Sequence, residues 1–290
     1  MIDETPPRAV GRRELAALLS ENEATPKRSL GQNFLVDPNF ARKIAELCVQ
    51  DSPRVLEIGA GAGSLTVMLA SYAEVVLALE KDAKMCEMLL EVLQRRAIAN
   101  VELIAGDAMN FDFETAMNQR GLGAVVGNLP YNISVPLIMN LIDDTPSALK
   151  MTFLVQSEVA DRICARPGIR QSSYVSLKTQ FYCDTKIVLK VPNTVFLPIP
   201  NVSSSVVTFR RHSRHVDAYG RAGIAAALIA ARIAFGHRRQ MLRRTLPVDR
   251  FGDAYAATGL DPSRRPENVE LEEWAQFGRA IQEQGDQSLE

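Results

Sequence analysis

Apolar and polar positions along the chain follow two alternating patterns. Short apolar runs alternate with longer segments in which apolar residues return every three or four positions. The first pattern suits strands buried on both faces, and the second suits amphipathic helices. Strands are predicted at Arg54–Ile58, Val75–Leu79, Val101–Ile104, Ala124–Gly127 and Lys150–Val155. Helices are predicted between them: Ser64–Ala70, a segment opened by Asp82 that carries Met85, Met88, Leu89 and Val92, one through Ile138 and Leu141, and Ser157–Cys164. Ahead of the first strand, Asp37-Pro38 reads as a cap and first turn for a helix through Ile44 and Leu47. Later, Val175–Phe181 reads as a helix, Lys186–Val191 as a strand, and Asn201–Arg210 alternates as a strand does.

Strands that alternate with helices imply a mostly parallel sheet covered on both faces. From residue 211 the strand pattern stops and the rest reads as helical. The expected class is therefore α/β with a small all-α C-terminal domain. The expected divisions are an N-terminal extension over 1–25 (a tail with a short helix at Arg12–Leu19), a catalytic domain over 26–210, and a helical domain over 211–290. Gln282–Glu290 reads as a frayed end.

Composition narrows this picture without changing it. Hydrophobic residues make up 47% and charged residues 23% of the 290 positions, which suits a packed core and not global disorder. The most apolar segment, Ala222–Phe235, is too short for a membrane span and carries Arg232. The N-terminus is rich in acids (Asp3, Glu4, Glu14, Glu21, Glu23), unlike a transit peptide, so a cytoplasmic location is expected. Cys48, Cys86, Cys164 and Cys183 have neither metal nor redox spacing, and His212 and His215 lack a second ligand pair, so no metal site is expected.

Net charge is only −1, but it is unevenly distributed. Between Arg210 and Arg250 stand ten arginines, no lysine, and only Asp217 and Asp249 as acids. That window carries +8, which points to a polyanion surface. Within it lie Arg238, Arg239, Arg243 and Arg244, whose planar forks suit phosphate, with Arg239 and Arg243 expected on one helix face.

Candidate chemistry sits at the strand ends. Gly59-Ala60-Gly61-Ala62-Gly63 follows the first strand, and Glu80 ends the second where an acid accepts ribose hydroxyls. These two features alone fit a dinucleotide enzyme as well. Glu57, just before the loop, and Asp107, at the end of the third strand, shift the reading. A pyrophosphate needs donors, whereas the sulfonium and ammonium of S-adenosylmethionine favour carboxylates. Asn128-Leu129-Pro130-Tyr131 ends the fourth strand. An asparagine oxygen with a backbone carbonyl can accept both hydrogens of an adenine amine and aim its lone pair. Pro130 stiffens the turn, and the Tyr131 ring can stack on the base. Phe196, read as exposed ahead of Pro198 and Pro200, is the expected second wall for a flipped base.

Taken in order, Lys27–Asn39, Glu57–Gly63, Glu80-Lys81-Asp82, Gly106-Asp107-Ala108, Asn128–Tyr131, Phe196–Ser203 and Phe235–Arg244 resemble the bacterial KsgA (RsmA) ribosomal RNA adenine dimethyltransferases. The resemblance covers about residues 25 to 280. It implies a Rossmann-like methyltransferase domain with a smaller helical domain, S-adenosylmethionine as cofactor, and dimethylation of two adjacent adenines in a 3′-terminal hairpin of small-subunit ribosomal RNA. It implies cofactor contacts from Asn33, Leu35, Gly59, Glu80, Asp107 and Asn128. The expected partner is small-subunit ribosomal RNA or an immature small subunit, with no membrane and no obligate protein partner. The chain departs from the family's usual pattern at Ala60, where proline is usual, and at His237 and Gln240-Met241, where glutamine and Lys-Thr are common. Three rivals remain at this point: an Erm-type methyltransferase of large-subunit RNA, a non-catalytic RNA-binding assembly factor, and a DNA adenine methyltransferase. The arginine motif speaks against the first, the intact Asn128, Pro130 and Tyr131 against the second, and the lack of a separate sequence-reading domain against the third.

Overall fold

The computed structural model describes residues 9–27, 30–50 and 52–284. Residues 1–8 of the expected tail, Arg28 and Ser29 of the polar segment, and 285–290 of the expected frayed end lie outside the described residues. The chain divides into two units. The first runs to Ala160 and resumes over Lys186–Arg210, and the second comprises Asp161–Thr185 and the described residues from Arg211 onward.

The strands are β1 (Phe34–Leu35), β2 (Arg54–Ile58), β3 (Val75–Glu80), β4 (Val101–Ala105), β5 (Ala124–Asn128), β6 (Lys150–Gln156), β7 (Cys183–Val191), β8 (Phe196–Leu197) and β9 (Ser204–Arg211). Seven of them form one sheet in the order β4-β3-β2-β5-β6-β9-β7. Strands β2 to β6 run parallel, and β9 lies antiparallel to β6. Helices α1 (Arg12–Glu21), α2 (Pro38–Val49), α3 (Ser64–Tyr72), α4 (Ala83–Arg95), α5 (Phe113–Arg120), α6 (Ser134–Asp144) and α7 (Ser157–Ile163) accompany these strands. Two predicted caps hold: Asp37 Oδ1 accepts from Asn39 N and Phe40 N, and Asp82 Oδ1 accepts from Lys84 N. After β4 the winding reverses, and the chain returns to place β5 on the other side of β2. This reversal opens a crevice beyond the carboxyl ends of β2 and β5, where doubly wound sheets bind ligands.

The N-terminal extension differs from the expected tail. Ala9, Val10, Leu15, Leu18, Leu19 and Ala24 are buried in one cluster with Phe34, Ala62, Met85 and Met88. Polar residues on the outer face of α1 make the segment look like a solvated arm, but its apolar stripe finds a partner in α4.

In the second unit, α8 (Tyr174–Tyr182), α9 (Arg214–Tyr219), α10 (Arg221–Gly236), α11 (Leu242–Thr245), α12 (Val248–Thr258) and α13 (Leu271–Glu283) surround a core that includes Trp274, Phe277 and Ile224. The sequence reading assigns 161–185 to the catalytic domain. The structure instead buries Leu177 and Phe181 of α8 in this helical core. The apolar partners of α8 stand far along the chain, so local pattern could not reveal them. Among the described residues, no helix is long and apolar enough to cross a membrane, and no cluster of His, Cys, Asp and Glu is arranged to hold a metal ion.

His212 and His215 are packed against aromatic neighbours in this unit. Their rings cross edge to face at 5.4 Å, and His215 meets Phe181 in the same way at 5.7 Å. Neither ring nitrogen of His212 has a hydrogen-bond partner, while Arg214 Nε donates to His215 Nε2. Burial first, and then the charge of Arg214, hold both imidazoles below the ordinary value of 6.5, against the opposing pull of Asp184 on His212 and of Glu272 and Asp184 on His215. The unfolded chain therefore takes up these protons first as pH falls. Their contribution to stability is present above 6.5 and is lost below it. The melting temperature is expected to fall between about pH 7 and about pH 5, and to fall less in the His212→Phe, His215→Phe double variant. Equal slopes in the two proteins would assign the acid sensitivity to other groups.

Candidate functional site

The crevice beyond β2 and β5 is a cleft built within the first unit. Asn33, Leu35, Gly59, Glu80, Asp107, Asn128, Pro130 and Tyr131 all line it, together with Glu57. Of the residues proposed for cofactor and catalysis, only Phe196 is absent from its walls.

The floor is the turn after β2. Gly59 and Gly61 have φ of 74° and 55°, a region that costs little only for glycine. A side chain at Gly61 would also meet the Phe34 ring at 3.1 Å. Ala60, where the family usually has proline, donates its N–H to Leu79 O at 3.3 Å, a bond that proline lacks. The first departure from the family pattern is therefore accommodated.

Glu80 fixes this turn. Its Oε2 accepts from Gly61 N at 2.8 Å, and its Oε1 accepts from Lys81 N and Asp82 N, each at 2.8 Å. Burial pushes its pKa up, and the three backbone donors oppose that shift. Asp107 stands beside Glu80, just past the end of the adjoining strand, where Gly106 N donates to Glu80 O at 2.8 Å. Its Oδ1 accepts from Met109 N and its Oδ2 from Lys81 Nζ at 2.8 Å, which together hold its carboxyl below the ordinary range. It both caps a short helical turn and faces the cleft. Glu57 is 1% exposed, and its Oε2 has no hydrogen-bond partner. Burial drives its pKa up to about 8, helped by the nearby charge of Glu80 and opposed by the Thr66 hydroxyl. Its carboxyl is therefore mainly protonated near neutral pH, and a cationic ligand beside the open glycine turn would favour its ionised form.

Asn128 ends β5. Its Nδ2 donates to the Asn33 carbonyl at 2.7 Å, which leaves Oδ1 as the side-chain acceptor in the cleft. The Tyr131 hydroxyl lies 3.0 Å from Ser204 Oγ, and this contact anchors the ring at the rim. Asp82 Oδ2 pairs with Lys27 Nζ at 2.8 Å and accepts from Gln32 Nε2 at 3.1 Å, tying the irregular segment before β1 to the start of α4. The individual roles of Lys27, Gln32 and Lys81 do not follow from the sequence motifs that contain them. The alternating signs of Glu80-Lys81-Asp82 are the available signal for Lys81 alone.

Phe196 requires a correction. It is 0% exposed and packs with Ala41, Ile44, Leu154 and Val206 in the core of the first unit. Its strand β8 pairs with β1, with Leu35 opposite Phe196, and this pairing turns the ring inward. It is not an exposed wall for a base. The arginine motif requires another. Helix α10 ends at Gly236 and α11 starts at Leu242, so Arg239 and Arg243 do not share one helix. Arg238 is held within its unit: its Nη2 donates to Arg170 O at 2.9 Å, and Glu267 lies 4.0 Å away. Arg239, Arg243 and Arg244 are exposed.

Comparison with known proteins gives the family of the chain. The sequence model of the family described as "Ribosomal RNA adenine dimethylase" matches residues 24–276. A protein of Moorella thermoacetica named "Ribosomal RNA small subunit methyltransferase A" is 37% identical over 280 residues, covering 92% of this chain and 96% of its own. A protein of Geobacillus thermodenitrificans with the same name is 33% identical, covering 88% and 90%. Among solved structures, a dimethyladenosine transferase of Plasmodium falciparum superposes with a TM-score of 0.72 at 21% identity, covering 87% of this chain and 98% of its own. The 23S rRNA methyltransferase ErmE superposes with a TM-score of 0.62 at 24% identity, covering 86% and 99%. At these identities the two structures support the fold alone. With the family model spanning most of the chain and relatives this similar over their full length, the chain belongs to the ribosomal RNA adenine dimethylase family.

Proposed function

We propose that the protein transfers methyl groups to N6 of two adjacent adenines in a 3′-terminal hairpin of small-subunit ribosomal RNA, during assembly of that subunit in the cytoplasm. The observation that carries this reading is the Asn128-Leu129-Pro130-Tyr131 turn at the end of β5, with the Asn128 amide fixed by the Asn33 carbonyl. The small-subunit assignment is supported by the names of the full-length relatives.

When bound, S-adenosylmethionine supplies an electrophilic methyl on a sulfonium. Glu80 would accept from its ribose hydroxyls and Asp107 from its adenine amine, and Glu57 would ionise as the ligand's positive charges come to lie near it. Asn33, Leu35 and Gly59 would complete the walls. At the target base, Asn128 Oδ1 accepts one hydrogen of the adenine amine, and a backbone carbonyl of the turn accepts the other. The two bonds draw the nitrogen out of conjugation with the ring and aim its lone pair into the cleft. Pro130 presents no N–H to compete, and Tyr131 offers its ring face to the base. After transfer the nitrogen carries a formal positive charge and loses its proton to water, so no side-chain base is required.

Two experiments test this reading. Labelled cofactor incubated with unmethylated small-subunit particles, large-subunit RNA and duplex DNA is expected to label the first alone, with dimethyladenosine recovered from the digest. Label confined to large-subunit RNA or DNA would overturn the substrate assignment. By calorimetry, Glu80→Ala is expected to bind the cofactor about tenfold more weakly, since a hydrogen bond to a charged acceptor contributes about 1.5–3 kcal/mol. Unchanged affinity would remove Glu80 from the cofactor site.

A further inference from the structure

Helix α1 lies ahead of the region matched by the family, yet it is wired to the cleft at three places. The first is the entry to α3: Ser64, which lines the cleft, donates its hydroxyl to Val10 O at 3.0 Å. The second is apolar: Val10, Leu15 and Leu18 are buried with Ala62 of the glycine turn and with Phe34, whose ring packs against Gly61. The third is Arg12. Its Nη2 donates to Thr194 O at 2.7 Å and to Phe196 O at 3.0 Å.

The Arg12 contacts lead to the reacting end of the cleft. The residues that Arg12 grips run into β8, which pairs with β1 through Leu197 opposite Phe34 and Phe196 opposite Leu35. Val36 N also donates to Val195 O at 2.8 Å. Immediately before β1 stands Asn33, whose carbonyl holds the Asn128 amide. Strands β1 and β8 have two residues each, and a ribbon that short does not hold its own geometry. The core holds its apolar side chains, Arg12 adds a polar hold on its backbone, and α1 is itself well anchored. Glu14 binds Arg96 Nη2 at 2.6 Å and 2.7 Å, and Lys84 Nζ donates to Asn22 O and Glu23 O.

We propose that the segment around α1 is part of the catalytic unit, and that Arg12 is a positioning residue. It sets the orientation of the Asn128 amide through β8, β1 and the Asn33 carbonyl. The proposal rests on the reading of Asn128 as the acceptor of the adenine amine. The terminal torsion of an asparagine side chain has only a broad preference of its own, so the amide follows whatever fixes Nδ2. If the Asn33 carbonyl drifts by about 1 Å, Oδ1 swings off the amine, and errors of that size cost up to about 100-fold in rate.

The test compares Arg12→Ala, Arg12→Lys and the neighbouring Arg13→Ala in the full chain. Single-turnover methylation in Arg12→Ala is expected to slow by about ten- to fiftyfold, with cofactor affinity within about threefold of wild type. Arg12→Lys, which keeps a cationic donor, should recover part of the rate, and Arg13→Ala should match wild type. The side-chain amide signals of Asn128 in a nitrogen–proton correlation spectrum, identified by their loss in Asn128→Ala, should shift and broaden in Arg12→Ala. A merely structural role would lower the melting temperature and leave those signals in place. Wild-type rate with unmoved Asn128 signals would overturn the proposal, even if Asn128→Ala is inactive. A fully active Asn128→Ala would instead overturn the reading on which the proposal rests, and the amide signals would still report whether Arg12 governs them. Should Arg12→Ala not fold, Arg12→Gln, which keeps a two-hydrogen donor, carries the same comparison.

Discussion

Replacing Asn128 with alanine is expected to leave a folded protein that transfers methyl groups on the order of 10²–10³-fold more slowly. The side chain is half-buried and makes one hydrogen bond to the chain, Nδ2 to the Asn33 carbonyl. Its loss should therefore cost about 1 kcal/mol of stability, small beside the catalytic effect. The effect on rate is larger because the Oδ1 contact strengthens as the amine nitrogen becomes tetrahedral. A contact that is stronger in the transition state than in the bound substrate acts on kcat and leaves RNA affinity nearly untouched. Asn128→Asp makes the comparison sharper. It keeps an oxygen acceptor but loses the donor to Asn33, so nothing holds the group in register, and an intermediate rate is expected. Single-turnover measurement with saturating RNA separates the chemical step from product release. A near wild-type rate in Asn128→Ala would move the acceptor role to backbone carbonyls of the turn.

Asn128 was legible in the sequence because it ends a recognisable strand, as were Glu80 and Asp107, and the parallel sheet makes strand ends converge. The Asp37 and Asp82 caps were legible because capping is decided within three residues. What the sequence hid depends on pairings between distant segments. Phe196 stands before two prolines and reads as exposed, but its pairing with Leu35 across the β1–β8 ribbon turns the ring into the core. Tyr174–Tyr182 has an ordinary helical pattern, and only the apolar faces of α10 and α13 determine which unit receives it. The His237–Met241 break interrupts what reads as one arginine-rich helix, since no proline marks it and the residues on both sides favour helix. Arg12 gave no signal at all: a charged residue in an apparent tail is indistinguishable from a solvated one until its acceptors, two backbone carbonyls, are in place.

The break at His237–Met241 reshapes the expectation for RNA binding. On a continuous helix, Arg239 and Arg243 would form one stripe. Here Arg239 lies in a turn and Arg243 and Arg244 lie on α11, so their guanidiniums spread around a bend, with Met241 40% exposed between them. Arg239 and Arg244 form no ion pair among the described residues. Arg243 faces Asp261, whose carboxyl is held low by Ser263 first and only weakly by that arginine. Arg238 is different, since it ties the backbone at Arg170 to the end of α10. Substituting Arg239 and Arg244 together with glutamine should therefore remove two phosphate contacts without loosening the helical unit. Each contact contributes about 0.7–0.9 to the slope of log affinity against log salt, so the slope should flatten by about 1.4–1.8. At about 0.15 M salt the same loss weakens binding roughly fifteen- to thirtyfold. Arg238→Gln should do the reverse, lowering the melting temperature and leaving the salt slope nearly unchanged. Cofactor affinity should stay constant in all of these variants, because the cleft is built entirely by the first unit. The measurement is RNA affinity at several salt concentrations beside thermal melting. An unaltered slope with a lowered melting temperature in the Arg239→Gln, Arg244→Gln variant would show that these arginines hold the helical unit together, and that phosphate is gripped elsewhere.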